Sequence, residues 1–300
     1  MGTVVILGVF VADTAYRAAR MPVMGETIMG TAFALGPGGK GSNQAVACAR
    51  LGVDTHFISN LGQDDFAKLA LDTWAQAGVV PHVRQIAESY TGAAHIFIEE
   101  ASGDNAIIVA PGAAALISPS DVEAQADLIQ GADVFVTQLE QPMDAAVRAL
   151  EIARAAGVTT VLNPAPAAEL PEGMLALCDY VTPNETECEA LTEIAVTDEK
   201  QAEQACAALM TKGVRTPIIT MGQQGAYLAG HGLVPAVKAG PVVETTGAGD
   251  AFNGAFAAAL ADGQSAVDAV RYGCATAGIS VTRPGTAPSM PTRDEVLAHL

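Results

Sequence analysis

Residues 245–254 have the sequence Thr-Thr-Gly-Ala-Gly-Asp-Ala-Phe-Asn-Gly and lead into a helical pattern of apolar residues. The small residues Gly247, Ala248 and Gly249 let the backbone approach a ligand closely. At a helix N-terminus, such a turn offers unpaired N–H groups and the positive end of the helix dipole, which both attract phosphate. Asp250 would repel phosphate, so its expected role is to take a proton from a hydroxyl that attacks the phosphate. The alternative is an acid that only stabilises the helix dipole.

A second glycine-rich segment runs from Gly36 to Gln44 (GPGGKGSNQ) and precedes another helical stretch, which Gly52 closes. Neither segment has the P-loop pattern Gly-x4-Gly-Lys-Ser/Thr, and neither is a Gly-x-Gly-x-x-Gly that follows the first strand. These two motifs therefore do not account for nucleotide binding by either segment. A redox enzyme with a dinucleotide cofactor is a distant alternative for the same reason.

Together, the two segments resemble the paired signatures of the ribokinase family, the phosphofructokinase-B group of carbohydrate kinases. The resemblance extends over almost the whole chain through the blocks Val4–Gly8, Pro111–Ala113, Asn163–Ala167, Thr182–Glu187 and Val281–Gly285. It implies a kinase that transfers the γ-phosphoryl group of ATP to a sugar hydroxyl, with Mg²⁺ on the nucleotide and D-ribose as the leading acceptor. Kinases for another pentose, a ketohexose or a nucleoside are alternatives, and so is a non-catalytic regulator that binds sugar or nucleotide.

The resemblance also implies a role for individual residues. Asp250 is the expected general base, and the turn formed by Gly247, Ala248 and Gly249 is expected to hold the transferring phosphate. The residues expected at the sugar, together with Asp250, are Val11, Asp13, Gly39, Lys40, Asn43 and Glu140. Those expected at the nucleotide are Asn184, Glu187, Thr220, Gly222, Gly225, Gly249 and Cys274. From the residues alone, Asn184 and Glu187 are equally well explained as a helix cap and its capping-box acid.

A site for a monovalent cation, K⁺, is a further implication of the resemblance. The residues that fall on its positions are Glu244, Thr246, Ser280, Arg283, Gly285 and Ser289. The family usually has Asp at the position of Glu244, so the longer side chain changes the geometry. The chain also departs from the family at Val11, where ribokinases usually have Asn. An apolar side chain there removes a partner for one sugar hydroxyl, so we expect weaker discrimination between sugars.

Composition narrows the classes of function. The 300 residues are 50% hydrophobic, and 15 Lys and Arg stand against 33 Asp and Glu, a formal net charge of −18. Nucleic acid would be repelled by this charge. No apolar run is long enough to span a bilayer and no signal peptide is visible, so we expect a cytoplasmic protein without membrane contact. The five cysteines are scattered, which favours a reducing compartment, and the five histidines are dispersed, which predicts no zinc cluster.

The order of predicted elements indicates the fold. From about residue 118, helices and strands alternate; a capping box beginning at Ser120 opens one helix and another beginning at Thr292 opens the last. This pattern predicts a three-layer α/β/α sandwich with a mostly parallel central sheet, in one ribokinase-like domain over residues 1–300. Segments of about residues 14–35 and 91–110 alternate like antiparallel strands instead. We expect them to form a small β-sheet lid, which the resemblance implies is also a homodimer contact.

Overall fold

The computed structural model describes residues 2–300. These residues form thirteen strands, which in chain order are β1 (Thr3–Leu7), β2 (Val11–Ala18), β3 (Ala32–Gly38), β4 (Asp54–Leu61), β5 (Val80–Gln85), β6 (Thr91–Glu99), β7 (Asn105–Gly112), β8 (Val134–Thr137), β9 (Thr159–Leu162), β10 (Tyr180–Val181), β11 (Thr216–Thr220), β12 (Gly225–Leu228) and β13 (Gly232–Pro235). The α-helices are α1 (Lys40–Arg50), α2 (Asp65–Ala77), α3 (Pro119–Glu123), α4 (Ala126–Gln130), α5 (Met143–Ala155), α6 (Glu185–Thr192), α7 (Glu199–Thr211), α8 (Ala248–Ala261), α9 (Ala266–Ser280) and α10 (Arg293–Leu297).

The larger sheet has nine strands in the order β13-β12-β11-β10-β9-β8-β1-β4-β5. The strands from β11 to β5 run parallel, whereas β12 and β13 are antiparallel additions at one edge. In β1, Val4 and Ile6 pack in a core with α1, α2, α8 and α9, while Val5 and Leu7 pack in a second core with α5 and α7. Because successive side chains point to opposite faces, an unbroken apolar run fills both cores. The predicted three-layer sandwich with a mostly parallel sheet is confirmed.

The smaller sheet has four strands in the order β3-β2-β6-β7. Its outer pairs are antiparallel, but β2 and β6 pair in parallel, so the sheet is mixed and not antiparallel throughout as the alternation predicted. The physical reason is the long crossover through α1, β4, α2 and β5, which belong to the large sheet and its helices. The small sheet is therefore anchored to the larger body at both of its central strands.

The helix caps were predicted with mixed success. Thr292 and Glu295 form the predicted capping box of α10. The box predicted at Ser120 lies two residues earlier, where Ser118 caps α3 with Asp121 as its partner. Pro119 explains the shift, because its fixed φ suits the first helical position directly after a cap. In the same region, two short helices replace the single predicted one. Among residues 2–300, no helix is long and apolar enough to cross a membrane.

Candidate active site

Asp250 lies in the first turn of α8, beside the glycine-rich turn. Gly247 is the N-cap of the helix, with φ of 81°. The Asp250 side chain is 6% exposed, and Asn43 Nδ2 donates to its Oδ2 at 3.0 Å while Gln44 Nε2 donates to its Oδ1 at 3.2 Å. Burial raises the pKa of Asp250, and the positive charge of Lys40 and the two amide donors oppose that rise. Both carboxylate oxygens are thus fixed in direction.

Close packing of α1 against α8 makes these contacts possible. A Cβ on Gly254 would lie 2.5 Å from the Gln44 carbonyl oxygen and 2.7 Å from the Ala47 Cβ. Any other residue at Gly254 would push the helices apart and withdraw Asn43 and Gln44 from Asp250. Gly254 is the last residue of the stretch 245–254, and its function is close packing of the two helices.

A buried polar network continues from Gln44 across the ends of the strands. Gln44 Nε2 also donates to Asn163 Oδ1 at 3.1 Å, and Gln138 Nε2 donates to Gln44 Oε1 at 2.7 Å. Asn163 Nδ2 donates to the Thr182 carbonyl at 3.2 Å. These residues follow or end β8, β9 and β10, so the network joins three parallel strands to Asp250. Gln44, Gln138 and Asn163 were not among the predicted site residues, although the end of a parallel strand is where polar side chains were expected.

The α8 turn is tied to the same network. Thr182 Oγ1 donates to Asn253 Oδ1 at 2.6 Å, and Asn253 Nδ2 donates to the Gly249 carbonyl at 2.8 Å. Of the N–H groups in the turn, that of Ala248 donates to the Thr245 carbonyl at 3.2 Å. A phosphate must therefore replace or share this bond to use Ala248. Gly249 is exposed.

Asp13 brings the small sheet to the site. Its carboxylate lies over Gly38 on the neighbouring strand, where a Cβ would fall 2.3 Å from Asp13 Oδ2. Glycine at this position is therefore required for the observed placement of Asp13. Burial, then the negative charges of Asp250 and Glu244, raise the pKa of Asp13 to about 6. Val11, two residues earlier, is buried with 7% exposure.

Glu140 and Lys40 meet at the start of α1. The backbone N–H of Lys40 donates to Glu140 Oε2 at 2.7 Å. Burial raises the pKa of Glu140 to about 7, although that bond and the Lys40 charge act against the rise. Gly39 is the N-cap of α1 and lies directly before Lys40. Asp13, Glu140 and Asp250 thus form a cluster of carboxylates in which Lys40 supplies positive charge.

Asn184 and Glu187 form the capping box that was the alternative to a functional role. Asn184 Oδ1 accepts from the Glu187 N–H at 2.8 Å, and Glu187 Oε2 accepts from the Asn184 N–H at 2.9 Å. Burial raises the pKa of Glu187, which is also influenced by the charges of Lys40 and Asp250. The pair therefore caps α6, and the Glu187 carboxyl also lies close enough to Lys40 and Asp250 for their charges to affect its pKa. Asn184 forms an isolated parallel bridge with Thr220.

The other residues predicted at the nucleotide differ in accessibility. Gly222 is exposed directly after β11, whereas Gly225 is buried at the start of β12. A Cβ on Gly225 would lie 2.0 Å from the Val234 carbonyl oxygen. Cys274 is 5% exposed, and its Sγ lies 4.0 Å from the same oxygen. Gly225 and Cys274 are thus both buried next to Val234 on β13.

The residues predicted at the cation lie on two neighbouring segments. Glu244 Oε2 accepts from the Gly285 N–H at 2.8 Å, which ties the segments together. The hydroxyls of Ser280 and Ser289 donate to the carbonyls of Ala277 and Thr286. The Arg283 side chain pairs with Glu295 on α10, and Thr246 is exposed.

Comparison with known proteins gives a consistent result. The family model described as pfkB family carbohydrate kinase matches residues 1–293. The chain is 40% identical to the ribokinase of Haemophilus influenzae over 99% of this chain and 98% of the relative. It is 33% identical to the deoxyribokinase of Salmonella typhi, again over 99% and 98%. The solved structure of Arabidopsis thaliana ribokinase complexed with ribose and ATP superposes with a TM-score of 0.92, at 32% identity over 99% of this chain and 98% of that one.

Proposed function

Because the chain belongs to the pfkB family of carbohydrate kinases, we propose that it transfers the γ-phosphoryl group of ATP to a hydroxyl of D-ribose, giving ribose 5-phosphate. The observation that carries this proposal is Asp250, a buried carboxylate whose two oxygens are oriented by Asn43 and Gln44 beside a helix N-terminus. The relatives named ribokinase and the neighbour complexed with ribose and ATP support this choice of substrates.

Asp250 acts as the general base. The attacking hydroxyl donates to the carboxylate, and the proton transfers as the bond to phosphorus forms. Because phosphoryl transfer passes through a loose transition state, positioning and charge stabilisation contribute most of the rate. The N–H groups at the start of α8, with Gly249 exposed, stabilise the negative charge on the transferring group. Lys40 supplies positive charge close to Asp250 and Glu140.

Asp13 and Asn43 orient the sugar. A carboxylate can accept from two neighbouring hydroxyls, which suits a vicinal diol. The Oδ1 of Asn43 is buried and has no hydrogen-bond partner within residues 2–300, so it is an acceptor for a third hydroxyl. Glu140 and the backbone at Gly39 complete this side of the pocket. A small polyol with several hydroxyls satisfies these acceptors, whereas an apolar acceptor leaves them unpaired.

Mg²⁺ belongs with the nucleotide, and Glu187 fits a role near it. Its Oε2 accepts the hydrogen bond that caps α6. Its Oε1 accepts no side-chain or backbone hydrogen bond within residues 2–300 and is free to bind the ion or its water ligands. Bound Mg²⁺ neutralises charge on the phosphates, which matters because Asp13, Glu140 and Asp250 otherwise repel ATP. Thr220 and Gly222 line the nucleotide, while Gly225 and Cys274 are buried beside β13.

Some of the oxygen atoms around the hydrogen bond between Glu244 and Gly285 are suitable ligands for K⁺. Glu244 retains Oε1 and a negative charge, and the hydroxyl oxygens of Ser280 and Ser289 keep lone pairs after donating their protons. We expect K⁺ to raise both the melting temperature and the activity by fixing the turn that leads to Gly247. Adding K⁺ to sodium-free and potassium-free buffer tests this expectation; an unchanged melting temperature and unchanged kinetics would exclude an activating site.

A second acceptor, 2-deoxyribose, is favoured by one observation. Val11 is buried at a position near Asp13 where an amide would bind a hydroxyl, and an isopropyl group leaves such a hydroxyl without a partner. A sugar that lacks this hydroxyl therefore loses less binding free energy next to Val11 than ribose does. A relative of similar length is named deoxyribokinase. A coupled assay with ribose, 2-deoxyribose, fructose and adenosine as acceptors identifies the substrate; no turnover with any of them, together with intact ATP binding, would favour the non-catalytic regulator.

The small sheet functions as a lid and as a dimer contact in this proposal. By register, Asp13 lies on its face toward the site, while Tyr16, Phe33, Leu35, His95 and Ile108 share the opposite face. These five residues, here called the outer face, are exposed, with Phe33 at 59% and Ile108 at 66%. An apolar surface of this kind favours association with a second copy of the chain.

The five cysteines are all buried free thiols, as expected for a reducing compartment such as the cytoplasm.

A further inference from the structure

Two histidines that are far apart in sequence meet at one edge of the large sheet. His56 Nδ1 lies 2.9 Å from His82 Nε2, and His56 Nε2 lies 3.3 Å from Asp54 Oδ2. The spacing of the histidines predicted no cluster, but the parallel pairing of β4 with β5 places His82 opposite Ile58, next to His56 on the same face. None of these residues belongs to the candidate active site.

Asp54 determines which nitrogen of His56 carries the proton. A carboxylate accepts, so the proton of neutral His56 is favoured on Nε2, and Nδ1 is left with a lone pair that points toward His82. Without a metal, His82 donates its Nε2 proton to that lone pair. Moving the His82 proton to Nδ1 turns both facing nitrogens into ligands. A carboxylate behind a histidine that faces a metal is a common arrangement in metal sites.

The distance between the two facing nitrogens needs to change little for a metal ion to bind, and the two imidazole rings must turn so that both lone pairs point at the ion. Zinc–nitrogen bonds are about 2.0–2.1 Å long, so two nitrogens at a tetrahedral angle lie about 3.3–3.4 Å apart. The observed 2.9 Å separation must therefore open by less than about half an ångström. His82 lies on β5, the edge strand, which has a neighbour on one side only. A small shift of this strand therefore breaks no backbone hydrogen bonds to a second neighbouring strand.

A cavity lies beside one member of the histidine pair. His82, but not His56, lines a cavity of about 340 Å³ together with Ile58, Asn60, Asp121 and Gln125. Within residues 2–300, no group of three or more His, Cys, Asp or Glu side chains could hold a metal, so water or an added ligand must complete the coordination. Two imidazoles select Zn²⁺, Ni²⁺ or Cu²⁺ over Mg²⁺, which prefers oxygen ligands.

We propose that His56 and His82 bind one transition-metal ion of the Zn²⁺, Ni²⁺ and Cu²⁺ class, with Asp54 as the positioning residue. The ion links edge strand β5 to β4. Because it binds the folded chain, it raises the melting temperature, and the rise grows with the logarithm of the ratio of metal concentration to Kd. The site is separate from the Mg²⁺ that accompanies the nucleotide.

Calorimetric titration of the full chain with Ni²⁺ tests the proposal. We expect one Ni²⁺ per chain, affinity at least tenfold weaker in His56→Gln and in His82→Gln, and affinity about tenfold weaker in Asp54→Asn. His231→Gln, which changes an exposed histidine elsewhere, is the matched control and should keep the wild-type affinity. Wild-type affinity in either His56→Gln or His82→Gln would overturn the proposal.

A measurement on the unmodified chain removes dependence on the folding of the variants. Substoichiometric Cu²⁺ is paramagnetic and broadens the NMR signals of the imidazoles that bind it. We expect the signals of His56 and His82 to broaden before those of His95, His231 and His299. Broadening that begins at one of the other three histidines would show that the pair is not the preferred site.

Discussion

The two sheets contribute to one candidate site in opposite ways. On α8, which packs against the large sheet, Asp250 is 6% exposed and Asn43 and Gln44 from the same chain hold its carboxylate in place. On the small sheet, Asp13 faces the site, but Phe33 and Ile108 on the outer face are 59% and 66% exposed. The chain therefore positions the proposed base by its own packing, whereas the sheet that carries Asp13 leaves an apolar outer face exposed. Changes on the large sheet should affect chemistry, and changes on the small sheet should affect assembly and sugar selection.

The strongest test of the large-sheet side is Asp250→Asn. The amide has nearly the shape of the carboxylate but cannot take the proton, so we expect kcat to fall by about 10²–10⁴-fold with little change in sugar or ATP affinity. Asp268→Asn, which changes an exposed acid on α9, should retain full activity. Steady-state kinetics and calorimetric binding measure both effects. A loss smaller than about tenfold would contradict the assignment of the base.

The corresponding test of the small-sheet side is Ile108→Lys on the outer face. A buried charge in a subunit contact should weaken the proposed dimer by about 30-fold or more, the size expected for a central interface residue. Met210→Lys on α7 replaces an apolar residue of similar exposure, 51%, and should leave the assembly unchanged. Sedimentation velocity over a range of concentrations gives the dissociation constant. If the wild type is monomeric at all concentrations, the outer face is not a dimer contact.

The same contrast explains what could be predicted from the sequence. The turn before Asp250, the βα alternation and the capping box at Thr292 are local patterns, so their positions were predictable. The network through Gln44, Gln138 and Asn163 depends on which strands become neighbours, and Gly254 and Gly38 matter because of atoms remote in sequence. The parallel pairing of β2 with β6, and the meeting of His56 with His82, follow from topology and have no local signal. For Asn184 and Glu187, the cap and the position at the site proved compatible.

Acid pH should change both activity and stability through the carboxylate of Asp13 on the small sheet. With the pKa of Asp13 raised to about 6, its carboxylate loses its charge well above the usual range, so kcat/KM should fall about tenfold per pH unit below pH 6. Protonation of Asp13 lowers activity, but it favours the folded state. A raised pKa in the folded state means that this group's contribution to stability is full below its usual pKa of 3.8 and is lost as the pH rises through about 6.

Asp13→Asn separates these effects from those of other groups. The variant should lose the contribution of Asp13 to the pH dependence of unfolding, and its low activity should no longer depend on a group near pH 6. Urea unfolding at several pH values and pH–rate profiles of both proteins provide the comparison. An acid limb near pH 4 in the wild type would show that Asp13 titrates as an ordinary carboxylate when the enzyme is active.

The smallest expected effect concerns selection of the sugar on the small sheet. Val11 pairs with Gly38, the residue over which the Asp13 carboxylate lies, so in the proposed sugar pocket we expect the side chain at Val11 to face the far hydroxyls of the acceptor. Val11→Asn adds an amide that can bind a hydroxyl, and one such bond is worth on the order of 1 kcal/mol, or several-fold in kcat/KM. We therefore expect the ratio of kcat/KM for ribose over 2-deoxyribose to rise several-fold. Val11→Ala removes the same methyl groups without adding an amide and should leave this ratio nearly unchanged. An equal rise in both variants would mean that space, and not a hydrogen bond, limits recognition of ribose at this wall.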